Sequence, residues 1–194
     1  MRNISIPVAL LFTLACQSAP PPADTAVDTP PPGPAPGTPE WKIQNALSAG
    51  PAALTGQAAV MDWPATADGP MVELRAGTNG WTCMPDVPAT PGVDPMCLDG
   101  AFAAWAAAWQ GHTTPALTGV GVAYMLAGGS DASNTDPYAT EPNPQVGWIE
   151  SGPHIMIVVP DVKRLAGMST DYASGGPYVM WQGTPYAHIM IPVR

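Results

Sequence analysis

Apolar positions change period several times along the chain, and each change marks an element. Ile43, Ala46 and Leu47 recur at helical spacing. Thr38 stands where a cap belongs, Pro39 at the first helical position and Gly50 at the stop. Ala58 to Trp63 is an extended run halted by Pro64. Met71–Thr78 and Trp81–Met84 flank Asn79-Gly80, the pair favoured in tight type I′ turns, and so predict a hairpin. Leu98, Phe102, Trp105 and Trp109 share one helical face. They predict a helix that opens at Asp94-Pro95, with Asp94 as cap, and closes at Gly111. Between Gly119 and Ala127 the period is two. Val120, Val122, Tyr124 and Leu126 take one side; Gly121 and Ala123 leave room for something bulky on the other.

Gly128 to Val146 is polar and reads as a solvated loop. Its Asp131, Asn134, Asp136 and Glu141 do not follow the order of an EF-hand calcium loop. Asp161–Met168 predicts a short helix and Tyr178–Trp181 a strand. Together these elements predict an α+β fold. Its core is a mostly antiparallel sheet of about six or seven strands, with the Trp-rich helix packed on a face.

The last third carries a repeat. Gly152-Pro153-His154-Ile155-Met156-Ile157 is echoed by Tyr186-Ala187-His188-Ile189-Met190-Ile191, and both runs read as buried strands closed by Pro160 and Pro192. Strand alternation puts His154 with Met156, and His188 with Met190, on one face each. Imidazole and thioether together select monovalent copper, and they suit compartments where thiols are oxidised. The element resembles the His-x-Met of periplasmic copper chaperones, with Met180 between the copies as a further ligand. The candidate metal set is therefore His154, Met156, His188, Met190 and Met180, and the candidate ion is Cu(I).

Two other readings stand beside it. The pair also resembles the His-x-Thr/Ser motifs of two-histidine phosphoesterases, which would imply one imidazole as base and one as acid. Methionine replaces the hydroxyl here, and no GxSxG, Walker or HExxH motif occurs. No catalytic residue is assigned. Alternatively the histidines are hydrogen-bonded core residues and the methionines filler. The domain would then bind a protein or glycan partner.

The N-terminal residues change the setting. Arg2 precedes an apolar run, Ile4–Leu14, too short to span a bilayer, and the run ends in Thr13-Leu14-Ala15-Cys16. This resembles the lipobox of bacterial lipoproteins. The resemblance implies a signal peptide over residues 1–16, lipidation of Cys16, and a membrane anchor. Gln17, where an aspartate would hold such a protein at the inner membrane, implies the outer membrane. Residues 17–40 contain nine prolines and form an extended tether, up to roughly 70 Å long at ~3.1 Å per residue. Residues 41–194 are then a single domain. It carries 12 acidic against 5 basic side chains, which opposes nucleic acid as a partner.

Cys83 and Cys97, in an exported domain, predict a disulfide that pins the helix start to the hairpin. Four runs, Gly77–Cys83, Asp94–Cys97, Gly152–Met156 and Pro185–Met190, are similar to those of a set of secreted bacterial proteins with no assigned activity. The resemblance covers most of Met61 to Val193. It implies one domain and nothing about chemistry.

Overall fold

The computed structural model describes residues 33–66, 69–87 and 89–193. The expectations for Cys16 and for most of the tether lie outside them. Helix α1 (Pro39–Leu47) begins as its sequence requires: the Thr38 hydroxyl accepts the Trp41 N–H at 3.3 Å, and Pro39 occupies the first turn. A single helical turn, α2 (Ala52–Thr55), follows.

Ten strands come next: β1 (Ala59–Asp62), β2 (Val72–Arg75), β3 (Thr82–Met84), β4 (Met96–Leu98), β5 (Gly121–Met125), β6 (Gly129–Asp131), β7 (Ile149–Ser151), β8 (His154–Val158), β9 (Tyr178–Met180) and β10 (His188–Pro192). Helix α3 (Gly100–Gln110) lies between β4 and β5. Eight strands form one sheet in the order β2-β1-β3-β4-β5-β8-β10-β9, and β6 pairs with β7 separately. Every pairing is antiparallel except β1 with β3. The α+β class and the mostly antiparallel sheet are as the pattern predicts, with a main sheet of eight strands.

The predicted hairpin does not form. β1 inserts between β2 and β3, so the chain crosses the end of β1 from one side to the other. Gly77 makes the crossing possible: a Cβ there would stand 2.0 Å from the Ala59 nitrogen. Asn79-Gly80 does turn the chain, with Gly80 at φ 76°. However, Asn79 braces the turn against α2, donating to the Leu54 carbonyl at 2.8 Å.

The helix also starts later than the sequence suggested. Met96–Leu98 is drawn into the sheet, where Cys97 faces Cys83 across β3 and β4, and the two form a disulfide with Cα atoms 4.0 Å apart. The bond therefore joins two neighbouring strands; the helix begins only at Gly100. Asp99, not Asp94, is its cap. One carboxylate oxygen accepts the Phe102 N–H at 2.7 Å and the other the Val122 N–H at 2.8 Å, tying helix to strand. Asp94 is buried and instead accepts the Thr90 hydroxyl at 2.6 Å.

Alternation splits the sheet into two faces. Cys83, Cys97 and Val60 pack with Ala46 of α1 on one. Leu98, Ala123, Met156 and Met190 pack with Phe102 and Trp105 of α3 on the other. Gly121 lets α3 approach: a Cβ there would meet the Phe102 nitrogen at 2.5 Å. The room predicted beside Gly121 and Ala123 is filled by this helix.

Candidate functional site: a tryptophan and methionine cavity

Both His-Ile-Met strands are interior strands towards the β9 edge of the sheet and pair with each other, antiparallel. Met156 stands directly opposite Met190, and His154 opposite Pro192. His188 thus falls at the far end of the pair, four residues away, on the order of 13 Å along the strand. All four side chains share the face under α3. The outer strands add a methionine to each histidine: Met180 on β9 faces His188, and Met125 on β5 faces His154. The structure therefore does not gather the five sequence candidates at one point. It arranges His188 with Met180 and Met190, and His154 with Met125 and Met156.

The two histidines are anchored alike. His154 Nδ1 lies 2.7 Å from the Gly152 carbonyl and His188 Nδ1 lies 3.0 Å from the Tyr186 carbonyl. A carbonyl only accepts, so each Nδ1 carries the proton and each Nε2 keeps a lone pair. His154 Nε2 is enclosed and has no partner among the described residues. Burial lowers the pKa of both rings, partly opposed by these carbonyl bonds; that of His188 falls to about 4. Both imidazoles are neutral near pH 7, which is the state a metal or a proton donor would require of them.

Their surroundings differ. His188 borders a cavity of about 510 Å³ between the sheet, α3 and the segment after β5. His154 borders a separate hollow of about 170 Å³, its ring close under Gly129. The larger cavity is walled by tryptophan. Trp181 stacks on Trp105 and Trp109 with ring centres 6.0 and 5.5 Å apart, and the His188 ring meets Trp105 and Trp181 edge-on at 5.1 and 5.0 Å. Trp63 and Trp148 also line it.

Three indole N–H groups are fixed by backbone carbonyls: Trp63 by Pro85, Trp109 by Pro137 and Trp181 by Ser133. Trp105 Nε1 is buried without a partner among the described residues. Trp181 sits at φ 56°, a left-handed conformation unusual for a bulky residue. That geometry costs of order 1–3 kcal/mol and is the kind of strain that clusters at binding sites.

The polar end of the cavity is acidic. Asp131, expected in a solvated loop, lies in β6 and is half-buried. Burial, and then the nearby charge of Asp94, push its pKa up to about 6. Asp94 is also raised, chiefly by burial, although the Thr90 hydroxyl pulls against this. Among the described residues no Lys or Arg lines the cavity and none pairs with either carboxylate.

A more open groove of about 630 Å³ lies elsewhere, beside Trp41 and Asp62. Its carboxylate is already paired with Lys42 at 2.6 Å. Among the described residues no three His, Cys, Asp or Glu side chains cluster as a hard-metal site would need.

No family model, curated protein or solved structure matches the chain. Function must therefore be read from the site.

Sequence reasoning missed Met125, Trp181 and Asp131. Met125 becomes visible only once β5 is known to flank β8. For Trp181 the signal was Gln182-Gly183, a turn pair that ends the strand one residue earlier than alternation suggests. Asp131 had only the polar composition of its neighbours, which argued the other way.

Proposed function

We propose that this chain is an exported lipoprotein, anchored through Cys16 and held off an outer membrane by its proline-rich tether, whose domain binds Cu(I). The seat is His188 with Met180 and Met190. The observation that supports it is the His188 environment. A neutral imidazole has its Nδ1–H committed to a carbonyl, a thioether strand partner opposite and a second thioether two residues on. Thioether sulfur cannot donate a hydrogen bond, so these neighbours do nothing for the Nε2 lone pair. A soft cation would satisfy all three groups, and zinc would not, because thioether is a poor zinc ligand. Edge-on indole rings from Trp105 and Trp181 would shield the ion from water and oxygen.

The hydrolase reading is less well supported. Acid and base would have to act on one bond from opposite ends of the strand pair.

The test is anaerobic titration of the domain with Cu(I) against a coloured chelator. Met180→Leu and Met190→Leu keep side-chain volume and remove sulfur. Each should weaken Cu(I) binding at least tenfold without unfolding the domain. Unchanged affinity in the double variant, or none in the native domain, would remove the proposal.

A further inference from the structure

The cavity is far larger than an ion needs. Three ligands close around copper within a few ångströms, yet about 510 Å³ extends from His188 past the tryptophans to Asp131. Pockets of this size, mostly apolar with a few convergent polar groups, hold organic molecules. The wall chemistry narrows the class. Indole faces and polarisable sulfur attract cations, and tryptophan does so best of the aromatic side chains. Asp94, Asp131 and Asp136 line the cavity with no described Lys or Arg to balance them. Asp131 accepts no hydrogen bond among the described residues, whereas Asp94 is held by Thr90 and Val87. Trp105 Nε1, which belongs to the lining of the same space, is likewise buried without a partner among the described residues. An anionic ligand would be repelled, and a neutral apolar one would leave the Asp131 carboxylate unpaired.

We infer that the Trp–Met cavity is a binding site for an organic monocation with an apolar body, an amine or quaternary ammonium. Its charged head would lie at Asp131 and its body along Trp105, Trp109 and Trp181. The inference does not depend on copper at His188, since Asp131 and Asp94 are not among the proposed copper ligands.

Phenyltrimethylammonium and its uncharged isostere tert-butylbenzene serve as probes, added to the metal-free domain at pH 8 and followed by tryptophan fluorescence and calorimetry. Phenyltrimethylammonium should bind at least tenfold more tightly. Asp131→Asn should abolish that preference and leave tert-butylbenzene unchanged, with thermal melting verifying that the variant is folded. Equal affinity for the two probes, or a preference that survives Asp131→Asn, would overturn the assignment of charge while leaving a ligand cavity. Failure of both probes to bind would overturn the site altogether. Neither result bears on Cu(I) affinity, which is measured separately.

Discussion

Replacing Asp131 with asparagine should make the domain more stable, with the gain setting in as pH rises above about 4. An unfolded aspartate titrates near 3.8, while the folded Asp131 is held up at about 6. The folded state therefore binds the proton more tightly. Stability is lost as pH rises through the interval between these values, and the full penalty is present above it. At ~1.4 kcal/mol per tenfold, the raised pKa corresponds to at most roughly 3 kcal/mol.

Asp131 is enclosed by protein but keeps some solvent contact through the cavity, so screening reduces the figure; we expect about 1–2 kcal/mol. For a domain of this size that is on the order of 2–8 °C in Tm. Asparagine is nearly isosteric and removes the repulsion with Asp94. Asp94 and the Tyr178 hydroxyl are the titratable neighbours, and both have their own pKa values raised by burial. The assay is urea unfolding of both proteins from pH 8 to about pH 3. The difference should be largest at pH 8 and should shrink towards about pH 3, below the unfolded value, where both states of the native chain carry the proton. An equal or less stable variant at pH 8, or a gain undiminished at about pH 3, would refute the reasoning. A carboxylate that destabilises its own fold is what a site adapted to a cationic ligand should contain.

Other expectations follow from particular contacts. Gly77→Ala forces a methyl group into the Ala59 backbone and should cost several kcal/mol, or abolish folding, in a chemical-denaturation series. Asp99→Ala removes a helix cap and the tie to the Val122 N–H together and should cost about 2 kcal/mol by the same measurement. Reducing the Cys83–Cys97 bond should remove about 3 kcal/mol in the chain-entropy model, seen as a lowered urea midpoint. His188 should remain a neutral Nδ1–H imidazole down to about pH 5 by NMR, because burial holds its pKa near 4. Since the unfolded ring takes up a proton that the folded ring refuses, stability should fall as pH drops from about 6.5 towards 4. Mass spectrometry of the envelope-derived protein should find Cys16 diacylated and N-terminal.

What could be read in the sequence depended on how local the cause was. The Thr38 cap, the Gly121 and Ala123 gap and the two His-Ile-Met strands rest on neighbours within a few residues, and the structure has all of them. The hairpin was wrong although its turn residues were right. The partner of β2 was set by β1, and a crossing at Gly77 leaves no periodic trace. The helix start was displaced for a similar reason: two aspartates five positions apart both suit a cap, and the Cys83–Cys97 pairing decides between them. For the candidate site, the sequence supplied the candidate histidines and methionines on β8, β9 and β10, because alternation is local. It could not supply Met125 or Asp131, whose roles depend on which strands end up adjacent.

The antiparallel pairing of the duplicated strands has a geometric consequence. It places a local two-fold axis between Met156 and Met190, perpendicular to the sheet, which carries His154 onto His188. The outer strands respect that axis, setting Met125 and Met180 in equivalent places. What covers the sheet does not: one imidazole opens on the tryptophan cavity, while the other lies close under Gly129. A duplicated motif thus has two unequal surroundings, a large cavity beside His188 and a small hollow beside His154, with both imidazoles buried. Anything that loads both should do so in two separated steps, filling the His188 side first.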